Sequence, residues 1–202
     1  MNTVTLTGQL DFLNIKSVPK SYLILISGKM GVGKTLSAKR LEEKFTSKGY
    51  LAEVKSFAGA VKQIAVESFG WNCVKDDAGR SLLQGIGNLG RQYNEDIWCE
   101  RIFEDIENSF YIADIYLIDD WRFPNELSFF DKINMFNILT VRIESDTLGD
   151  YKNRDISEIS LPLAYLMKEQ EYYDFVFWNN GTIEELENKL TTVVETVEKL
   201  EE

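Results

Sequence analysis

The residues of this chain best suited to chemistry lie first in a glycine-rich stretch, residues 27 to 39, which reads SGKMGVGKTLSAK. Its spacing is that of a loop whose backbone N–H groups converge on phosphate oxygens, along a path that a Cβ would obstruct. Lys34 would reach the outer phosphates of ATP or GTP, and the Thr35 hydroxyl would ligate Mg²⁺. The predicted nucleotide-binding residues are Gly28, Met30, Gly31, Val32, Gly33, Lys34 and Thr35. The loop alone leaves open whether the terminal phosphate goes to water, to a protein or to a small molecule.

A second group of polar residues follows helical spacing between positions 80 and 93. At 100° per residue one face carries Arg80, Gln84, Gly87 and Arg91, whereas the opposite face carries Leu82, Ile86, Leu89 and Tyr93. The apolar face is predicted to pack against the protein. On the polar face, guanidinium forks could bind a phosphate and an amide could read a base edge. An ordinary solvated face is the alternative interpretation.

The stretch LIDDWRFPNE, residues 117 to 126, adds carboxylates and a cation at the end of a predicted buried strand. At this position Asp119 would ligate Mg²⁺, Asp120 would contact an acceptor, and Arg122 would lie near the same phosphates. The alternative interpretation is a capped turn. Lys62 could supply one more charge. A polar segment at 145–155 is flanked by cations suited to a lid that excludes water, namely Arg142, Lys152 and Arg154.

The elements that must position these residues alternate between strands and helices. Apolar runs predict strands at 22–27, 50–57, 114–119, 138–144 and 174–179, and the periodicity predicts helices at 35–48, 59–70, 80–93, 95–109 and 124–133 and from 182 onward. The helix at 59–70 is expected to turn Val61, Ile64, Ala65 and Phe69 inward. This alternation predicts an α/β fold with a parallel sheet covered by helices on both faces and ligands at the carboxyl ends of the strands.

Three glycines within the predicted helix at 80–93 need an explanation. The stretch GIGNLG, residues 85 to 90, matches a dinucleotide-binding pattern but follows no strand, so we reject that interpretation. Each glycine inside a helix costs about 1 kcal/mol relative to alanine. We therefore expect close approach of a ligand or of another helix at Gly85, Gly87 and Gly90.

Composition limits the classes of function. The net charge of −11 argues against a nucleic-acid partner, which would need a basic face. Histidine is absent, which excludes chemistry based on that side chain. No signal peptide and no apolar run of membrane-spanning length is visible, so a cytoplasmic location without a membrane partner is expected. The oligomeric state is open, and a homodimer is compatible with the chain.

Five segments together resemble the phage-type deoxynucleoside monophosphate kinases. They are SGKMGVGKT, FAGAVKQIAVESFGW, KDDAGRSLLQGIGNLGRQYNEDIW, IDDWRFPNE and DFVFWNNGTIEELE, and the resemblance covers about residues 22 to 190. It implies a P-loop kinase fold in which ATP with Mg²⁺ phosphorylates a deoxynucleoside 5′-monophosphate, in the host cytoplasm if the chain is phage-encoded. Residues 1–20 are interpreted as an extension before the main domain. The kinase domain then covers 21–202, with an acceptor-binding helical region at about 57–110 and a lid at about 143–158.

The resemblance also assigns residues by position. Lys34, Asp120 and Arg122 would be catalytic, whereas the acceptor nucleotide would be bound by Lys62, Arg80, Gln84, Arg91, Asp120 and Arg122, with Trp98 as a stacking wall. Many relatives have Asp where this chain has Thr35, and many have His-Pro-Ser-Glu where it has Asp155-Ile156-Ser157-Glu158. No role is therefore carried onto Asp155.

Three other functions remain open from the sequence. The first is a P-loop kinase that acts on another small phosphorylated metabolite. The second is a switch or motor that hydrolyses ATP or GTP, against which stand the absent Asn-Lys-x-Asp motif and the acidic charge. The third is a noncatalytic nucleotide-binding protein, which the carboxylates at 119 and 120 disfavour.

Overall fold

The computed structural model describes residues 20–109, 111–146 and 172–202. Five strands are present there: β1 (Tyr22–Gly28), β2 (Ala52–Lys55), β3 (Ile115–Ile118), β4 (Asn137–Glu144) and β5 (Phe175–Trp178). Six helices are present there: α1 (Lys34–Ser47), α2 (Ala58–Phe69), α3 (Asp77–Tyr93), α4 (Ile97–Glu107), α5 (Pro124–Ile133) and α6 (Ile183–Glu201). The predicted N-terminal extension up to residue 19 and the predicted lid from residue 147 onward lie outside the described residues.

The strands form one parallel sheet in the order β2-β3-β1-β4-β5. The central strand is β1, where Leu23 lies opposite Tyr116 of β3 and Ile138 of β4. A strand with parallel neighbours on both sides and helices above and below is buried on both faces, which explains why YLILIS is apolar without alternation. The predicted α/β fold with a parallel sheet is confirmed.

Two apolar cores lie on opposite faces of this sheet. On one face, Ile24 and Ile26 pack with α1 and α6. On the other face, Leu23 and Leu25 pack with residues of α2, α4 and α5. Successive residues of β1 therefore alternate between the two cores, as strand geometry requires. Helices cover both faces, as predicted.

Helix starts follow the expected capping chemistry. Thr182 and Glu185 form the predicted capping box of α6. Pro124 begins α5, and the predicted range 124–133 is confirmed. Asp76 caps α3 by accepting a hydrogen bond from the Gly79 N–H, so this helix begins three residues earlier than predicted.

The packing of α3 corrects the prediction made from its apolar face. Leu89 and Tyr93 are 69% and 88% exposed, whereas Gly87 is buried on the face that was predicted to be polar. Ile86 of the predicted apolar face does pack against a core, so that face is partly turned to the protein, and the face with Gly87 is turned to it as well. Periodicity shows that a helix is amphipathic but does not show which face meets the protein. In α2, Ile64 and Phe69 are likewise exposed instead of packed. In the described residues, no helix is both long and apolar enough to cross a membrane.

The glycines of α3 differ in their surroundings. A Cβ on Gly90 would lie 2.3 Å from Cζ2 of Trp98, so close approach of α4 explains this glycine. A Cβ on Gly85 would meet no protein atom within 4 Å, so no approach of another helix explains this glycine. The α3–α4 contact thus depends on Gly90 and places Trp98 beside the helix.

Candidate active site

The phosphate loop connects β1 to α1 at the carboxyl edge of the sheet. Gly33 precedes α1 with φ = +103°, a conformation that L side chains rarely adopt. A Cβ on Gly28 would lie 2.5 Å from the Ile143 carbonyl oxygen of β4. No side-chain cap occupies the N-terminus of α1, so its first N–H groups and the positive end of its dipole face the loop. Lys34 Nζ donates hydrogen bonds to the carbonyl oxygens of Gly28 at 2.7 Å and Lys29 at 2.9 Å.

A hydroxyl and a carboxylate meet beside this loop. Thr35 Oγ1 donates a hydrogen bond of 2.6 Å to Asp119 Oδ2, although the two residues are 84 positions apart. Both are hard oxygen donors, and Mg²⁺ is commonly bound by one or two such protein ligands together with substrate phosphates and water. The residues present therefore fit Mg²⁺ bound with a nucleotide. Within the described ranges, no cluster of three or more acidic or cysteine side chains offers an all-protein metal site.

Asp120 holds the start of α2. Its carboxylate accepts hydrogen bonds from Ser56 Oγ at 2.8 Å, the Phe57 N–H at 2.9 Å and the Ala58 N–H at 2.9 Å. The two backbone N–H donors belong to the unpaired groups at the beginning of a helix, and the N-cap residue of α2 supplies no side-chain hydrogen bond. The structure thus places Asp120 at the cleft as the residue that anchors α2. Its predicted contact with the acceptor stays a prediction.

Arg122 lies in the turn between β3 and α5, and a buried carboxylate fixes that turn. Glu126 accepts hydrogen bonds from the N–H groups of Arg122 at 2.8 Å and Phe123 at 3.0 Å. Burial raises the pKa of Glu126 to about 8, against the opposing effect of these two N–H donors and of Arg91. Glu126 was not predicted as a site residue, although its place in the first turn of a helix that begins with proline was a signal.

The residues that the spacing placed on one polar face of α3 lie along the same cleft. Arg80, Gln84, Gly87 and Arg91 all line it. The Arg91 guanidinium lies 4.4 Å from the centroid of the Phe123 ring, and its Nη2 donates a hydrogen bond of 2.8 Å to Asn88 Oδ1. Arg91 therefore has a fixed orientation, supported by an aromatic ring of α5's N-cap and by its own helix.

Trp98 supports α3 from α4. Its indole is 5% exposed and its Nε1 donates a hydrogen bond of 3.0 Å to the Gly87 carbonyl oxygen. The ring also lies against Gly90. Trp98 lines the cleft, but it is almost fully buried and belongs to the core on that face of the sheet. Its contact with α3 is therefore shown, whereas its role as a stacking wall for a base stays a prediction.

One cleft of about 370 Å³ joins the phosphate loop to the polar face of α3. The cations that line it are Lys34, Lys62, Lys75, Arg80, Arg91 and Arg122, and the carboxylates are Asp119, Asp120 and Glu126. Six cations in one cleft are notable in a chain with a net charge of −11. In the part of the chain that the structure describes, Lys62, Lys75 and Arg80 form no salt bridge. The arrangement can hold an anionic ligand beside the phosphate loop.

Lys75 is a cation of this cleft that was not predicted from the sequence. It follows Val74, whose carbonyl oxygen accepts a hydrogen bond of 3.0 Å from Trp71 Nε1. The compact turn packs on Gly79, where a Cβ would lie 2.2 Å from the same carbonyl oxygen. Its sequence signal was its place two residues before the start of α3.

The predicted lid cations are only partly within the described residues. Arg142 lies in β4, is 5% exposed, and donates a hydrogen bond of 2.7 Å from Nε to Glu144 Oε1. The structure therefore corrects its assignment to a lid, because a side chain buried in the sheet and paired there cannot close over the cleft. Ile143 and Glu144 also belong to β4, so a lid cannot begin at residue 143. Lys152 and Arg154 lie outside the described residues.

Comparison with known proteins yields similarity of structure only. No protein-family model matches the chain, and no curated protein matches it. The APS kinase of Mycobacterium tuberculosis, in complex with AMPPNP and APS, is 11% identical with a TM-score of 0.45, over 89% of this chain and 99% of that chain. A candidate kinase from Chloroflexus aurantiacus is 13% identical with a TM-score of 0.47, over 90% and 98%. Structural similarity at this level supports no conclusion about activity or substrate.

Proposed function

We propose that the protein transfers the terminal phosphoryl group of ATP to the phosphate of a deoxynucleoside or nucleoside 5′-monophosphate, which yields the diphosphate and ADP. The observation that carries this proposal is the single cleft between the phosphate loop and a cation-rich helical face. A hydrolase needs room only for a nucleotide and water beside its loop. A kinase needs a second anion site within reach of the first, and this cleft provides one.

The donor half of the cleft binds the triphosphate. The loop N–H groups and the N-terminus of α1 face the phosphates, and Lys34 moves from its loop carbonyls to the outer phosphates. Thr35 and Asp119 would hold Mg²⁺, which would supply positive charge to neutralise the phosphates. Their existing contact brings both oxygens to one point of the loop before any ligand binds.

The acceptor half binds the monophosphate. Arg80, Lys62 and Lys75 line this half and form no salt bridge in the described residues, so their charges are available to a phosphate. Gln84 offers an amide for a base edge, and Arg91 presents a guanidinium held against the Phe123 ring. The cleft therefore combines a phosphate-binding part with a part suited to a flat polar group.

The transfer requires positioning and charge neutralisation more than proton transfer. The attacking oxygen of an acceptor phosphate is already anionic, so no general base is needed, in keeping with a chain that has no histidine. Bringing two anions in line is costly without cations, and Lys34 with Arg122 would supply them near the point of transfer. The turn that carries Arg122 is held by Glu126, which accepts a hydrogen bond from the Arg122 backbone N–H, so the backbone from which this cation extends is fixed.

The proposal is tested by the dependence of ADP formation on the acceptor. Purified protein is supplied with Mg-ATP and, in parallel, the four common deoxynucleoside monophosphates, their ribose counterparts, or no acceptor. Turnover that requires a monophosphate and yields the matching diphosphate supports the proposal and defines the base range. ADP release that ignores every acceptor would identify an ATPase instead. Nucleotide binding without turnover on any of them would favour a kinase for another phosphorylated metabolite.

A further inference from the structure

A residue after the last strand contacts the phosphate loop directly. The backbone N–H of Asn179 donates a hydrogen bond of 2.7 Å to the Glu144 carbonyl oxygen, which extends the pairing of β5 with β4 by one residue. The Asn179 side chain then crosses to the loop, where Nδ2 donates a hydrogen bond of 2.9 Å to the Val32 carbonyl oxygen. The edge of the sheet is thereby linked to a loop 147 positions earlier in the chain.

The geometry of the peptide unit gives this bond a consequence inside the loop. The peptide between Val32 and Gly33 is trans, as are all peptides of the described chain. In a planar trans peptide the C=O and the N–H point in opposite directions. By holding the Val32 carbonyl on its own side, Asn179 turns the Gly33 N–H to the other side of the loop. Within the described residues this N–H donates no hydrogen bond to the protein, so it is available to a ligand.

Gly33 and Asn179 also fit each other sterically. A Cβ on Gly33 would lie 3.0 Å from Asn179 Nδ2, which is closer than an ordinary van der Waals contact. Gly33 itself has φ = +103°, a conformation that L side chains rarely adopt, and α1 begins at the next residue. The side chain of Asn179 thus occupies the space that the missing Cβ leaves, and it contacts the loop at the peptide before α1.

We propose that Asn179 is a positioning residue for nucleotide binding, which orients the Gly33 N–H toward the phosphates through the Val32 carbonyl. The inference rests on the proposed function, because it assigns the loop to nucleotide phosphates. It concerns the donor half of the cleft alone, since Asn179 is absent from the residues that line the acceptor half. Loss of the Asn179 side chain therefore weakens the binding of ATP and leaves the binding of the acceptor unchanged.

The test compares two variants of Asn179 with a matched variant of its neighbour. Asn179→Ala removes the hydrogen bond, and Asn179→Asp replaces the donor with an acceptor that faces the Val32 carbonyl. Asn180 is the control, because its side chain bonds Asp146 and Ser145 and does not contact the loop. For each variant, Kd is measured with a fluorescent ATP analogue, and KM is measured for ATP and for the acceptor.

We expect Asn179→Ala to raise Kd and KM for ATP roughly three- to tenfold, the loss of one neutral hydrogen bond, with KM for the acceptor unchanged. Asn179→Asp should raise both further, and Asn180→Ala should match the wild type. A wild-type Kd in Asn179→Ala would overturn the inference while leaving the proposed function intact. An equal loss in Asn180→Ala, or equal effects on both substrates, would also overturn it. A wild-type protein that binds no nucleotide would overturn the inference and the proposed function together.

Discussion

Two glycine-to-alanine substitutions in α3, five residues apart, should change stability in opposite directions. In a helix interior, alanine is favoured over glycine by about 0.5–1 kcal/mol. At Gly85 a Cβ would meet no atom within 4 Å, so this gain is not opposed. For a chain of this length, Gly85→Ala should therefore raise Tm by about 1–4 °C.

At Gly90 the same gain is opposed by Trp98. The added Cβ would lie 2.3 Å from Cζ2 and 2.9 Å from Cε2 of an indole that is 5% exposed. The ring would have to retreat by more than 1 Å to reach an ordinary contact distance, and overpacking of this kind costs about 1–3 kcal/mol. After subtraction of the helix gain, Gly90→Ala should destabilise the protein by about 1 kcal/mol, within a range of roughly 0–2.5 kcal/mol.

The two variants should also differ in substrate binding. Trp98 donates a hydrogen bond to the Gly87 carbonyl oxygen, so a displaced indole would disturb the face of α3 that lines the cleft. We expect Gly90→Ala to raise KM for the acceptor, with KM for ATP little changed, and Gly85→Ala to alter neither. Stability is measured by thermal and urea unfolding and KM by ADP formation. A Gly90→Ala variant as stable as Gly85→Ala would refute this account of the α3–α4 contact.

Three further predictions concern charged residues of the cleft. Lys34→Ala should abolish phosphoryl transfer while Tm stays close to that of the wild type. The matched control is Lys39→Ala, at an exposed position of α1. Near-normal turnover of Lys34→Ala would contradict the assignment of the loop to nucleotide phosphates. Arg80→Ala should raise KM for the acceptor about 10- to 100-fold, because a charge-assisted hydrogen bond to the acceptor is lost. The control is Arg101→Ala, which breaks only an exposed salt bridge with Glu104. An equal effect on KM for ATP would mean that α3 does not bind the acceptor. For Glu126, whose pKa is raised from 4.5 to about 8, the stability of the wild type relative to Glu126→Gln should fall as the pH rises from about 4.5 to about 8, because in this range the folded state keeps a proton that the unfolded state has lost. Above about pH 8 the difference should level off. Urea unfolding at pH 6 and pH 9 checks this, and a difference that does not depend on pH would exclude a raised pKa.

The features that local sequence determines were predictable. The phosphate loop depends on residues within one short stretch, and its place between an apolar strand and a helix follows from the pattern around it. The range of α5 was predictable because Pro124 fits the first turn of a helix and ends the preceding extended segment. The start of α6 was predictable because Thr182 and Glu185, which cap it, are only three positions apart in the sequence.

The features that depend on distant residues were not predictable. The anchoring of α2 by Asp120 joins positions more than 60 residues apart, and no pattern in the sequence links them. The exposure of Leu89 and Tyr93 follows from the tight fit of Gly90 on Trp98, which brings the glycine-bearing face of α3 inward. Arg142 has the composition of a lid cation, but its place in β4 pairs it with Glu144.

The central claim is that the terminal phosphoryl group of ATP is transferred to the phosphate of a nucleoside monophosphate. The most direct test is to find which product carries a radioactive label from that group. Protein is incubated with Mg-ATP carrying ³²P in the γ-phosphate, together with the monophosphates that stimulate ADP formation, and the products are separated. The account predicts that the label appears in the β-phosphate of the nucleoside diphosphate, and that Lys34→Ala eliminates it. Label recovered only as inorganic phosphate, in equal amount with and without a monophosphate, would contradict the account.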